Sequence, residues 1–180
     1  MATPEETTTS EQIYQGTVIG LRVDTVVLPS GRMSKREIVE HRGSVTVVPV
    51  DDLGNVVLVR QYRKAIDKWL LEVPAGGLDD GETPINAAAR ELQEETGYRA
   101  ATLEHLCTFY TTPGFCTEMM HAFLATCLVS GDARPEEDEN IEIVHLPVET
   151  VLEMISRGEF QDAKTIAAFH MAVNHINYQS

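Results

Sequence analysis

A chain of 180 residues with a formal net charge of −14 makes one domain, or one domain with a small appendage, and is long enough to bury a proper core. That acidic balance offers no basic stripe to a phosphate backbone, which argues against nucleic-acid binding. No apolar run approaches membrane-spanning length, and the acidic start MATPEETTTSEQ lacks the hydrophobic segment of a secretory signal.

In chain order, residues 1–10 are rich in Thr and Glu without apolar anchors and are expected to be disordered. From Gln12 the run IYQGTVIGLRVDTVVLP alternates apolar and polar residues, Pro29-Ser30-Gly31 marks a turn, and Met33 to Glu40 returns antiparallel. This is an N-terminal strand unit of its own, and residues 1–40 are set apart from a main domain at 41–180. SVTVVPVDD and NVVLVRQYR follow as two strands joined by a hairpin turn at Asp51-Asp52-Leu53-Gly54. Their nearly continuous Val and Leu predict burial on both faces. Trp69 to Pro74 reads as a further strand. Beyond the central helix, Thr102 to Thr111 and Met119 to Val129 are strands with Pro113-Gly114 between them. The acidic loop GDARPEEDEN comes next, then a strand at Ile141 to Leu146. Val148 to Arg157 is a helix closed by Gly158, and Asp162 caps a last helix through Asn177. The elements sum to an α+β chain, a mixed sheet between helices in an α/β/α sandwich, with the antiparallel N-terminal unit added. Cys107, Cys116 and Cys127 lack metal-type spacing and read as reduced core or near-core thiols of a cytoplasmic protein.

The stretch from Gly76 to Tyr98 organises the rest. Thr83 suits an N-cap, Pro84 the first helical position, and Gly97 the residue just past the end. Ile85, Ala88, Ala89, Leu92 and Thr96 recur at helical spacing as a core-facing stripe. Glu91 and Glu95 fall beside that stripe, Glu94 one step further round, and Arg90 at its back edge. Like charges three and four residues apart destabilise a helix by about 0.2–0.5 kcal/mol per pair. A solvated acidic face is one account of the cluster. Yet Glu95 borders the apolar stripe and needs a counter-charge, for which Mg2+ or Mn2+ suits clustered oxygen ligands.

The spacing of Gly76, Glu82, Arg90-Glu91-Leu92, Glu94-Glu95, Gly97 and Tyr98 resembles the Nudix hydrolase signature G-x5-E-x7-R-E-U-x-E-E-x-G-U at every defined position. The resemblance implies the Nudix fold and cleavage of a nucleoside diphosphate linked to another moiety. It implies that Glu91, Glu94 and Glu95 are metal ligands, that Glu82 and Arg90 are structural partners, and that Gly76 and Gly97 are backbone requirements. Bound divalent cations would also reconcile an acidic chain with an anionic substrate.

Outside that stretch, Pro113 lies sixteen residues beyond Gly97 in Tyr110 to Phe115 (YTTPGF), followed by Glu118. Taken alone, Pro113-Gly114 is an ordinary turn. Together with Arg60 to Arg63 (RQYR), Trp69 to Gly76 (WLLEVPAG) and Glu159 to Thr165 (EFQDAKT), it resembles the ADP-ribose pyrophosphatase subgroup. That likeness implies a homodimer with swapped N-terminal strands and two to three Mg2+ or Mn2+ per site, with the Ala75 carbonyl as a further ligand. Arg36 and Arg63 are the implied cations for substrate ribose, phosphates or adenine. Tyr14 is a candidate for stacking on adenine from the partner subunit. Pro113, Gly114 and Glu118 belong to the implied substrate loop. Glu72 is a candidate substrate contact or, equally, a satisfied buried carboxylate. In the acidic loop, Glu139 resembles an added metal ligand and Glu137 the base, with Glu136 or Asp138 in their place if the register slips by one. Glu94 and Glu139 thus join Glu137 as candidate catalytic residues. The implied reaction takes ADP-ribose to AMP and ribose 5-phosphate. The alternatives are another nucleotide, such as an oxidised dNTP or a different nucleoside diphosphosugar, or a non-catalytic ligand-sensing module.

Overall fold

The computed structural model describes residues 3–131 and 140–179, which form two compact units. The N-terminal unit holds β1 (Glu6–Gln15), β2 (Ile19–Val27) and β3 (Met33–His41), an antiparallel sheet in the order β1-β2-β3, together with Tyr110–Met119. Part of that segment runs along β3: Val39 N donates to the Phe115 carbonyl at 2.8 Å, and Thr117 N to the Val39 carbonyl at 2.9 Å.

The first strand corrects an expectation. Residues 6–10, read from sequence as disordered, belong to β1 and pair with Asp24–Val27 of β2. Thr and Ser suit a solvated edge strand, and here they also bond across it. Ser10 Oγ donates to the Asp24 carboxylate at 2.6 Å and Thr8 Oγ1 to the Thr25 carbonyl at 3.0 Å.

The main unit contains β4 (Ser44–Pro49), β5 (Asn55–Arg63), β6 (Lys68–Glu72), β7 (Ala75–Gly77), α1 (Pro84–Thr96), most of β8 (Tyr98–Tyr110) and β9 (Met119–Ser130), β10 (Ile141–Pro147), α2 (Val148–Ser156) and α3 (Ala163–Gln179). One sheet runs β7-β4-β9-β8, with β4 parallel to β9 and antiparallel to β7; a second runs β10-β5-β6, all antiparallel. Every residue of β4 is buried, and its alternation divides the core. Val45 and Val47, with Phe123 and Ala125 of β9, pack on Ala87, Ala88 and Leu92 of α1. Val48, Ala122 and Leu124 face the other way, against Val151 of α2 and Ala168, Phe169 and Ala172 of α3. A mixed sheet between helical layers is the α/β/α arrangement that the order of elements predicts.

The turn between β4 and β5 forms as expected, with Gly54 at φ 78° and its N–H on the Asp51 carbonyl at 3.0 Å. It joins two sheets, however, and closes a hairpin through a single bridge, Val50 to Val56. The reason is occupancy: β7 and β9 take both edges of β4, so β5 pairs with β10 and β6. Two boundaries also shift. β8 starts at Tyr98, directly after the helix, and the strand read as Trp69 to Pro74 is β6, which ends at Glu72, with the short β7 beginning only at Ala75. Cys107 and Cys116 are half-buried, but Cys127 is exposed at φ 54°, where β9 departs from regular geometry, so it is no core thiol. No helix among the described residues is long and apolar enough to cross a membrane.

Candidate active site

α1 begins and ends where the sequence places it. The Thr83 carbonyl accepts Asn86 N and Ala87 N, both at 3.0 Å, and Gly97, at φ 73°, returns its N–H to the Gln93 carbonyl at 2.8 Å. The Thr83 hydroxyl itself makes no capping bond. The buried face corrects the predicted stripe. It comprises Ala87, Ala88, Glu91, Leu92, Glu95 and Thr96, whereas Ile85 and Ala89 are exposed. Glu91 and Glu95 are therefore part of the face that meets β4 and β7. The helix can present carboxylates there because Gly76 carries no side chain, and the Glu91 carboxylate fills the space a β-carbon would take.

Two groups hold these acids in place. Ala75 N donates to Glu95 Oε2 at 3.2 Å, while Val47 N (2.9 Å) and Thr46 Oγ1 (3.2 Å) hold the preceding Pro74 carbonyl against β4. The second group is Arg90. Its Nε and Nη2 fork onto Glu82 at 3.1 and 2.9 Å, Nη1 donates to Glu91 at 2.7 Å and Glu94 at 3.0 Å, and Nη2 also reaches the Gly77 carbonyl at 3.0 Å. The Arg90 fork holds the Glu82 carboxyl below the usual range, against a smaller upward push from desolvation.

Among the described residues, no three acidic, His or Cys side chains already close around one point. The donor chemistry still fits a hard divalent cation. Three carboxylates, Glu82, Glu91 and Glu94, share the Arg90 guanidinium, Glu95 lies on the same helix, and every donor offered is oxygen. Glu91, Glu94 and Glu95, with the Ala75 backbone, are the groups able to hold such an ion.

A second cluster flanks the first. Glu72 of β6 is 1% exposed and accepts Arg63 Nε at 2.9 Å and Nη2 at 2.7 Å. It also accepts Lys164 Nζ, which in turn donates to Asp162 Oδ2 at 2.9 Å. Asp162 caps α3 as expected, through Thr165 N at 2.9 Å. Burial alone would raise the Glu72 carboxyl, but Arg63 and Lys164 outweigh it and hold it low. The Arg63 guanidinium is raised by that same hydrogen bond, against desolvation, and the charge of Glu95 adds to it. Arg63 therefore lies within the field of Glu95 on α1. Lys164 was not singled out from sequence; its signal was the EFQDAKT block, whose Asp-x-Lys straddles the helix start.

The remaining candidates belong to the other unit or to the acidic loop. Tyr14 is exposed on β1, and Arg36 of β3 is forked to Glu5, with Nε to Oε2 at 2.9 Å. Pro113 and Gly114 form an exposed turn, and Glu118 accepts Thr111 Oγ1 at 2.7 Å. All five belong to the N-terminal unit. Glu136, Glu137, Asp138 and Glu139 lie outside the described residues.

A family model described as the NUDIX domain matches residues 40–169. An ADP-ribose pyrophosphatase of Bacillus subtilis (strain 168) is 45% identical over 166 residues, covering 91% of this chain and 90% of that protein. A methanol dehydrogenase activator of Bacillus methanolicus is 42% identical over 166 residues, with the same coverage of 91% and 90%. A crystal structure of an ADP compounds hydrolase superposes with a TM-score of 0.89, covering 100% of this chain and 98% of that one; at 21% identity it speaks for the fold alone. The chain belongs to the Nudix family of pyrophosphohydrolases and, within it, to the group that contains the ADP-ribose pyrophosphatases.

Proposed function

We propose that this protein hydrolyses the pyrophosphate bond of ADP-ribose, or of a closely related nucleoside diphosphosugar, yielding AMP and ribose 5-phosphate in the first case. The observation that carries this reading is the pairing of opposite charges: an acid cluster on α1 that suits divalent cations, and, within the field of its Glu95, a half-exposed Arg63 suited to an anion. A pyrophosphate with its cations needs both.

Glu91, Glu94, Glu95 and the Ala75 carbonyl hold two to three Mg2+, or Mn2+, in this proposal. When bound, such ions neutralise the pyrophosphate and lower the pKa of an attacking water. The protein's own part is orientation. Arg90 and Glu82 fix the rotamers of the α1 acids, and Gly76 leaves them room. Arg63 grips phosphate or ribose oxygens and aligns the substrate. Glu137 takes the proton from the water, and Glu139 supplies one further oxygen ligand.

The N-terminal strands, with Arg36 and Tyr14, exchange across a two-fold dimer and complete the partner's substrate pocket. Support comes from β1 itself, an edge strand exposed along its whole length and bearing Ile13 and Tyr14, 51% and 57% exposed. Three free cysteines suit a reducing compartment, the cytoplasm.

The deciding experiment is product analysis on ADP-ribose, GDP-mannose, NADH and an oxidised dNTP, with and without Mg2+. Metal-dependent release of AMP from ADP-ribose, with the highest kcat/KM of the panel, is the expected result. Preference for an oxidised dNTP would overturn the substrate assignment, and inactivity on every compound would favour a ligand-sensing module.

A further inference from the structure

The buried ions behind Arg63 carry an inference of their own, resting on the reading of Arg63 as the substrate's cation. We infer that Glu72 and Lys164 are positioning residues that fix the Arg63 guanidinium in its substrate-binding pose.

Glu72 is a carboxylate with 1% of its surface exposed, in the last position of β6. A carboxylate is costly to bury unless its oxygens are engaged. Both of them are. Oε1 takes Arg63 Nε, and Oε2 takes both Arg63 Nη2 and Lys164 Nζ. Lys164 is itself only 12% exposed and is anchored from behind by Asp162 Oδ2. Asp162 is fixed in turn, because it caps α3 through Thr165 N, and the Thr165 hydroxyl accepts Val73 N at 3.0 Å. The start of α3 thereby sets the Glu72 carboxylate, and Glu72 sets the plane of the guanidinium.

Arg63 needs such a hold. It is the last residue of β5, followed by a single 3-10 turn at Lys64–Ile66, so the ladder does not constrain its long side chain. The fork consumes Nε and Nη2, while Nη1 has no protein partner among the described residues and the side chain is 38% exposed. A guanidinium gripped along one edge and open along the other is preorganised to bind an anion.

The rival account is that the cluster only fastens α3 to β6. A double-mutant cycle on the full-length enzyme with Mg2+ and ADP-ribose separates the two. Lys164→Met keeps the apolar stem and removes the anchor of Glu72. The inference expects KM to rise by roughly ten-fold with kcat nearly unchanged, recovery in Lys164→Arg, and no further rise when Lys164→Met is added to Arg63→Ala. A purely fastening role predicts a lower melting temperature with an unchanged KM for the folded fraction, and that result overturns the inference. So does full additivity with Arg63→Ala. If Lys164→Met does not accumulate as folded protein, Lys164→Gln, which removes the charge that holds Glu72 and keeps a polar head for the partly wet site, reads the same cycle. An unchanged KM in Arg63→Ala alone would instead refute the substrate role of Arg63 on which the inference rests.

Discussion

The Glu91 carboxylate occupies the place where a side chain on Gly76 would begin. Gly76 does not adopt a positive φ, so the glycine is required by contact and not by backbone conformation. The obstructing atoms are the far end of a flexible side chain, which can swing aside at little cost to the fold. Gly76→Ala should therefore displace Glu91 and lower kcat/KM by more than about 100-fold, while the melting temperature moves by no more than about 3 °C. Paired kinetics and calorimetry test this, and an active Gly76→Ala enzyme would show that Glu91 need not sit there.

Glu95 is buried at 3% exposure beside Glu91. Glu95→Gln preserves its shape and can still accept the Ala75 N–H, but removes one charge from a crowded set of acids. Activity should fall by more than about 100-fold at saturating Mg2+, with folding retained or firmer, because like-charge repulsion is relieved. Near wild-type turnover would remove Glu95 from the ligand set.

The contrast between Gly76 and Lys164 shows what a sequence can convey. The Gly76-to-Tyr98 spacing is local, so one helix and its preceding loop bring those residues together however the rest packs. Helix ends were legible for the same reason: Gly97 and Asp162 act within one turn. The face of α1 was misread because hydropathy ranks Ile85 above Glu95, whereas packing against Gly76 and Ala75 decides which side is buried. Nothing local ties Lys164 to Glu72, ninety-two residues apart, or tells β4 that β7 and β9 will take both its edges.

Glu72 also gives the protein a defined response to acid. Its folded pKa lies below the ordinary glutamate value, so its contribution is fully present above that value and is lost as the pH falls through the folded one. Glu72→Gln leaves Arg63 and Lys164 without their shared anion. It should cost up to about 3 kcal/mol at pH 7, at the low end for a buried pair because Arg63 is partly exposed. The gap to wild type should narrow as the pH drops below the glutamate range. Urea unfolding of both proteins from pH 7 down to about pH 2 measures it, and a constant gap would exclude Glu72 as the titrating group.

The dimer can be tested without removing a strand. Ile13 and Val18 are 51% and 66% exposed, so Ile13→Asp with Val18→Asp should cost the isolated chain little. In an exchanged dimer the same changes bury charge. The expected outcome is a monomer in sedimentation together with a raised KM, because Tyr14 and Arg36 no longer reach a neighbouring site. A monomeric wild-type chain of normal activity would end the idea.

The acidic loop separates a base from a ligand by kinetics. A residue acting only on the water matters in the transition state, so its loss lowers kcat and spares KM. Glu137→Gln should lower kcat by about 10²–10⁴-fold, the range of a general base. Glu139→Gln should shift the Mg2+ dependence instead, because a ligand governs metal affinity, and Glu136→Gln and Asp138→Asn should be near neutral. Glu118→Gln belongs in the same series. Its carboxylate already accepts Thr111 Oγ1, so neutralising it tests whether that turn contributes more than shape. If all four loop variants keep wild-type kcat, KM and Mg2+ activation while Glu118→Gln loses turnover, the base is Glu118, and the EEDE run is a solvated connection.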